Sequence, residues 1–421
     1  MLGRLLATSG SGVRVRRLGE DRAGEIRLTR FLRNEAVTLE EMVTEAGRRT
    51  AERCEGRHIL AIQDTTVVRS SGGGGLYLHP VIAVDADEGA ILGLVHACFL
   101  SREKGRKGVR KTLPVAAKES QRWLDGADKA AEVCAAAARV TVIADRESDI
   151  FAAFAARPAG VDLLIRAAQD RCLEDGGKLF ERADALPVAA RITIDLPAKP
   201  GRKAREATLA IRFADIELAR PLSAAKSGLP PSVALRLVDV REIDPPSGET
   251  IHWRLLTTHA VDDHKQAFAI VDLYRRRWAI EQLFRTMKSQ GFDIEGLLVD
   301  EESPLRRLVM AILVAAITVQ QLVHARDGKQ GPAPLRPMLD AFDPEEAPLL
   351  EAFCRKLEGK TERQKNPHPK GSLAYAAWVC ARLGGWTGYY GKPGPLVMLN
   401  GWFNFQAAKR GVNLLSHFHN V

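Results

Sequence analysis

The 421-residue chain is predicted to be an α/β protein, and three observations support this fold class. Two short apolar runs, HILAIQ and VTVIA, each lead into an aspartate and have the length of buried strands. Amphipathic and alanine-rich stretches around them have the period of helices. Short alternating runs between about residues 169 and 256, separated by Pro, Gly and Lys, predict an all-β insertion.

The first of these elements is a short, basic helical N-terminal segment, residues 14–55. Asn34 is a candidate helix stop. Thr38 is a candidate N-cap, because Glu41 follows it by three residues and completes the pattern of a capping box.

The central part alternates strands and helices. HILAIQDTTVV predicts one strand, and LYLHPVIAVDADEGAILGLVHACFL predicts two strands joined by a turn near residues 85–89. A helix in WLDGADKAAEVCAAA, a strand in VTVIAD, a helix ended by Pro158 and a strand in VDLLIRAA follow. This order suits a ribonuclease-H-like core. In such a core the first and fourth strands are neighbours, which would bring Asp64 and Asp145 together.

Three domains are predicted from these changes in residue pattern along the chain. Residues 1–55 form a helical segment, and residues 56–326 form an α/β domain with its β insertion at about 169–256. Helical texture returns at Asp263 and continues to Arg326. After the loop GKQGPAPLRP, residues 327–421 form a helical C-terminal domain.

Composition narrows the class of protein. Hydrophobic residues make up 46% and charged residues 27%, which is typical of a globular chain. The net charge of +9 favours a polyanionic partner. The six cysteines show no C-x-x-C spacing, which argues against zinc and for reduced thiols. The apolar run at 308–323 is expected to fall short of a membrane span, so we expect a cytoplasmic protein without a membrane partner.

A polar face is predicted on the helix DLYRRRWAIEQLFRTMKSQGF, residues 272–292. At 100° per residue, Arg277, Glu281 and Lys288 fall within a sector of about 60° beside Tyr274. A carboxylate can bind a divalent cation, and the cations and the phenol can hold phosphate oxygens. The alternative is a solvated face with intrahelical ion pairs.

Asp64 and Asp145 allow two interpretations. Aspartates at strand ends often cap the next turn or pair with an arginine. Alternatively, rigid strand ends hold carboxylates that share hydrated Mg²⁺ ions.

The segments AIQDTT, ADRESDI and Y-x-x-R-x-x-x-E-x-x-x-x-x-x-K together resemble bacterial insertion-sequence transposases with a DDE carboxylate triad. More narrowly, they are similar to the group with the Tyr-Arg-Glu-Lys signature, which includes the transposase of the composite kanamycin-resistance transposon. GSLAYAAWVCARLGGW near the end extends the resemblance over nearly the whole chain.

The resemblance implies a role for each matching residue. Asp64, Asp145 and Glu281 match the catalytic, metal-binding triad, which uses two Mg²⁺ ions or Mn²⁺ in their place. The matching DNA-binding positions are Tyr274, Arg277, Lys288, Trp253 and Arg166. Trp253 matches an aromatic on which a flipped base stacks during hairpin formation; as a residue of IHWRLLTTH it could equally be an ordinary sheet residue.

The implied activity is cut-and-paste transposition, with residues 1–55 as a DNA-contact segment and residues 56–326 as the catalytic domain. The implied partners are double-stranded DNA, both transposon ends and target, and a second copy of the chain, which is expected to pair through the C-terminal helices. The lysine-rich SREKGRKGVRK could track a DNA backbone or be a solvated loop.

Relatives are expected to carry roughly forty more N-terminal residues that help to recognise transposon ends. An alternative function is therefore a non-cleaving inhibitor or remnant that pairs with full-length transposase. A ribonuclease H or plain nuclease would share the core but would have no use for the Tyr-Arg-Glu-Lys face.

Overall fold

The computed structural model describes residues 18–19, 21–71, 74–102, 119–196, 203–225, 227–245, 250–289, 291–328 and 334–419. Within these residues the fold is mixed α/β. The helices are α1 (Arg22–Arg33), α2 (Leu39–Cys54), α3 (Gln121–Val133), α4 (Phe151–Ala155), α5 (Leu179–Ala185), α6 (His264–Arg275), α7 (Trp278–Met287), α8 (Glu302–Ala325), α9 (Ala347–Leu357), α10 (Leu373–Leu383) and α11 (Pro395–His419).

The strands cluster in the first two thirds of the chain. They are β1 (His58–Gln63), β2 (Thr66–Ser71), β3 (Gly74–Asp85), β4 (Ile91–Arg102), β5 (Arg139–Ala144), β6 (Val161–Arg166), β7 (Ala190–Leu196), β8 (Arg205–Ala219), β9 (Ser232–Glu242) and β10 (His252–Thr257). By compactness the chain divides into two units. One comprises residues 56–64 and 105–277, and the other comprises residues 1–55, 65–104 and 278–421.

The unit of residues 56–64 and 105–277 is built on a mixed sheet. Its strands follow the order β1-β5-β6-β10-β9-β8-β7. β1, β5 and β6 are parallel, and each later neighbour is antiparallel. β1 and β5 are buried over residues 59–63 and 140–144, because most of these residues are apolar. α3 packs on β1 and β5, and α6 packs on β8 and β9.

The second unit combines helices with the antiparallel strands β2, β3 and β4. The predicted hairpin is confirmed, with Gly89 in its turn at φ 72°. The predicted capping box at the start of α2 is also confirmed, since Thr38 accepts from the backbone of Glu41 and Glu41 accepts from that of Thr38. α8 packs against α1, α2, β4, α7, α10 and α11 and is the central helix of this unit.

Two elements predicted in the strand-rich part of the chain differ in the structure. The run HILAIQDTTVV is two strands rather than one, because the chain leaves β1 at Gln63 and Thr66–Ser71 pairs instead with β3. The range predicted as an all-β insertion also contains the helix Leu179–Ala185.

Helix α8 is long and apolar enough to cross a membrane, because the mean hydropathy reaches 2.0 over a window of 18 of its residues. The expectation that this region falls short of a span is wrong by length and composition, because the helix extends beyond the apolar run. In the structure 78% of the window is buried inside the protein, which is the pattern of a core helix.

Candidate active site

Two carboxylates directly follow neighbouring parallel strands. Asp64 follows β1 and Asp145 follows β5, and these strands are paired with Ile62 opposite Ile143. Two further steps along both strands bring Asp64 opposite Asp145. Paired positions on neighbouring strands lie about 4.8 Å apart. The prediction that the first strand and the strand ending at Asp145 are neighbours is therefore confirmed.

Asp145 has three described contacts, all on Oδ1. It accepts from the backbone N–H of Arg146 at 2.8 Å and caps the 3₁₀ turn Arg146–Ser148. It also accepts from the Tyr274 hydroxyl at 3.2 Å. Arg166 Nη1 lies 3.8 Å away. The capping interpretation is thus correct for Asp145, and the same carboxylate also faces a phenol and a guanidinium.

Asp64 faces a cation supplied by the turn that follows α6. Arg277 Nη1 lies 3.4 Å from Asp64 Oδ2. The Arg277 side chain is 12% exposed and that of Asp64 is 27% exposed. The guanidinium is therefore largely withdrawn from water beside the carboxylate.

Tyr274 contacts both Asp145 and an aromatic neighbour. Its ring meets Trp253 edge-on, with centroids 5.5 Å apart, and Arg277 Cζ lies 5.8 Å from the centroid of its ring. Burial, and secondly the Asp145 carboxylate, raise the pKa of Tyr274 to about 12. The phenol therefore stays protonated at neutral pH and acts as a donor.

Arg166 lies at the end of β6, where β10 pairs with it in register with Leu255. Its Nη2 donates to the carbonyl of His252 at 2.9 Å, one residue before Trp253. Arg166 is thus fixed by the strand that carries Trp253, while its other nitrogen lies near Asp145.

The prediction of one uninterrupted helix over residues 272–292 is wrong. α6 ends at Arg275 and α7 begins at Trp278. Between them the N–H of Arg277 donates to Tyr274 O at 3.0 Å, a contact between residues three apart. This tighter turn has about 3.0 residues per turn, so the 100° step does not carry across it.

Glu281 and Lys288 belong to the second compact unit. Glu281 lies in the first turn of α7 and is half-buried. Lys288 follows the helix and pairs with Glu295 at 2.7 Å. Within the described part of the chain, no three His, Cys, Asp or Glu side chains form a group that could hold a metal ion. The predicted site residues that meet within one unit are therefore Asp64, Asp145, Arg166, Trp253, Tyr274 and Arg277.

The chemistry of the two aspartates fits a hard divalent cation. Such cations take carboxylate oxygens as ligands. The described contacts of Asp145 converge on Oδ1, and its side chain is 33% exposed. The pair at the strand ends can therefore take a cation, which would compete with Arg277 for Asp64.

Sequence reasoning did not single out Asp149, whose carboxylate is fully buried against Arg171. The available signal was its place in ADRESDI, four residues after Asp145. Most of the lysine-rich SREKGRKGVRK segment lies outside the described residues.

Comparison with known families gives a match to the family described as Transposase DDE domain over residues 70–317. The match covers more than half of the chain. It includes Asp145 and the whole Tyr-Arg-Glu-Lys pattern, and it begins shortly after Asp64. The chain therefore belongs to the family of transposases with a DDE domain.

Proposed function

We propose that this transposase cuts and rejoins DNA by a cut-and-paste route, with Asp64, Asp145 and Glu281 as its metal-binding carboxylates. The observation that carries the proposal is the pairing of β1 with β5, which puts Asp64 opposite Asp145 beside Arg277, Arg166 and Tyr274. The Tyr-Arg-Glu-Lys spacing adds Glu281 and Lys288 and supports membership in the group with that signature.

The carboxylates would hold Mg²⁺, and Mn²⁺ has the same preference for oxygen ligands. Bound in this way, the two ions would lower the pKa of the attacking water and neutralise charge on the leaving oxygen. The surrounding donors have a separate task. Arg277 and Arg166 carry permanent charge, and the protonated Tyr274 hydroxyl is a neutral donor. These three groups can bind and orient a phosphodiester.

Cleavage of one strand at a transposon end leaves a 3′-hydroxyl, whose attack on the opposite strand gives a DNA hairpin. Opening of the hairpin and attack on target DNA complete the reaction. All steps are substitutions at phosphorus, so one set of residues serves them. Trp253 would stack on a base flipped out at the hairpin, since its ring is half-buried at the site.

We further propose a division of labour along the chain. Residues 1–55 contact DNA, residues 56–326 form the ribonuclease-H-like catalytic domain with its insertion at about 169–256, and residues 327–421 pair two copies. The enzyme would act on cytoplasmic DNA. Transposon ends would be recognised in duplex form before cleavage.

The test is strand cleavage in DNA that contains the sequences flanking the gene, with Mg²⁺ present. We expect Asp64→Asn, Asp145→Asn and Glu281→Gln each to abolish cleavage while DNA binding persists. Glu132→Gln on α3, which removes an exposed carboxylate paired with Lys129, is the matched control and should cleave normally. Mg²⁺-dependent cutting by any of the three variants would falsify the triad. DNA binding without cleavage by the unaltered chain would contradict the proposed enzymatic activity. It would favour the alternative of a non-cleaving inhibitor.

A further inference from the structure

Asp149 connects two segments beside the candidate site, the turn that follows β5 and the residues that follow β6. Its side chain is fully buried, and its carboxylate accepts from the backbone N–H groups of Ala168 at 2.8 Å and Gln169 at 3.1 Å. Arg171 Nε donates to the same carboxylate at 2.7 Å. A second nitrogen of Arg171 donates to the backbone carbonyl of Asp149.

The two joined segments carry Asp145 and Arg166. β5 and β6 are parallel, with Ala144 opposite Ile165, so that Asp145 and Arg166 take the next paired positions. Asp149 ends the short turn that begins at Asp145, and its backbone partners begin two residues after Arg166. The Asp149 carboxylate therefore connects the residues that follow β5 with the residues that follow β6.

The same turn is held from a second direction. Arg122 of α3, whose side chain is 6% exposed, donates to Glu147 at 2.8 Å and to the carbonyl of Glu119. The turn thus contacts the residues that follow β6 on one side and α3, the helix that packs on β1 and β5, on the other. Side chains held from two directions keep the orientation that a catalytic group needs.

We propose that Asp149 is a positioning residue, which fixes Asp145 and Arg166 relative to each other through the Asp149–Arg171 pair. This role rests on the proposed function. A buried ion pair is in general a weak source of net stability, so its presence here is not explained by stability alone. Groups that orient metal-binding carboxylates typically change metal affinity or activity by about 10–100-fold when they are altered.

The test compares Asp149→Asn with Asp340→Asn, which removes the charge of another buried carboxylate. Asp340 pairs with Arg336 at 2.7 Å in the other compact unit, and both side chains are less than 10% exposed. Three quantities are measured for each full-length variant: the midpoint of thermal unfolding, the Kd for Mn²⁺ by electron paramagnetic resonance, and the Mg²⁺ concentration that gives half-maximal strand cleavage.

We expect both variants to unfold at a lower temperature. Only Asp149→Asn should weaken Mn²⁺ binding and raise the half-maximal Mg²⁺ concentration, each by about 10–100-fold. Wild-type Mn²⁺ affinity and Mg²⁺ response in Asp149→Asn would overturn the role. Should Asp149→Asn not fold, Arg171→Lys replaces it, because lysine keeps the charge and loses the second contact. A smaller shift of the same sign supports the role, and no shift overturns it.

Failure of the proposed function gives a different result. Wild-type cleavage that is lost in Asp145→Asn establishes the function, and the Asp149 variants then decide the positioning role alone. No cleavage by the wild-type chain would overturn the function and, with it, this role for Asp149.

Discussion

Replacing Arg277 by glutamine should strengthen divalent-cation binding in the absence of DNA. Arg277 Nη1 lies 3.4 Å from Asp64 Oδ2 and competes with any cation for that carboxylate. Glutamine keeps a polar side chain of lesser length and removes the charge. The same change should weaken binding to DNA, because a permanent cation that can hold a phosphate oxygen is lost.

The size of the effect follows from the distance and the burial. Two unit charges 3.4 Å apart attract by about 5 kcal/mol at an effective dielectric constant near 20. With Arg277 12% exposed and Asp64 27% exposed, residual solvent screening and the cost of desolvating the guanidinium offset most of this. A net competition of about 1.4 kcal/mol remains, so Arg277→Gln should bind Mn²⁺ with a Kd about tenfold lower than that of wild type.

Isothermal titration of Mn²⁺ into DNA-free protein at constant ionic strength measures this change. Arg277→Lys is the matched control, because it keeps the positive charge and should leave Mn²⁺ affinity within about twofold of wild type. Unchanged or weaker Mn²⁺ binding by Arg277→Gln, in protein whose unfolding transition shows it to be folded, would refute competition at Asp64.

Three further predictions concern stability. Thr38→Ala removes the N-cap of α2 and should lower the free energy of unfolding by about 1 kcal/mol in urea titrations. Burial lowers the pKa of His259 to about 4, and the unfolded chain binds that proton near pH 6.5. The unfolded state therefore takes up the proton first, and about 3 kcal/mol of stability should be lost as pH falls from 6.5 to 4; a pH series in which His259→Gln shows the same slope as wild type would exclude this origin. Gly401→Ala should lower the free energy of unfolding by about 3 kcal/mol or more in calorimetric scans, because its Cβ would overlap the backbone carbonyl oxygen of Cys380 where α10 and α11 meet. Gly411→Ala in the same helix is the matched control, because a Cβ at Gly411 would meet open space. It should raise the free energy of unfolding by about 0.5–1 kcal/mol in the same kind of calorimetric scan.

The placement of the two aspartates was predictable because it depends on strong local signals. Continuous apolar runs mark buried strands, and each run leads directly into its aspartate. The order of elements then limits which strands can be neighbours. The Thr38 capping box was predictable for the same reason, since residues three apart in sequence suffice to form it.

Features that depend on tertiary contacts were not predictable. The break between α6 and α7 contains no Gly or Pro and consists of a shift to hydrogen bonds between residues three apart. The prediction that one helical face carries both Tyr274 and Lys288 therefore does not hold beyond Arg277, where the single helix ends. The role of Asp149 depends on N–H groups about twenty residues further along the chain, which no spacing rule identifies.

Diffraction from Mn²⁺-soaked crystals at the manganese absorption edge tests the central claim most directly. An anomalous peak is expected within bonding distance of carboxylate oxygens from both Asp64 and Asp145, with Arg277 turned away from Asp64. Manganese bound at saturating concentration only at other side chains, with none at this pair of strand ends, would contradict the assignment.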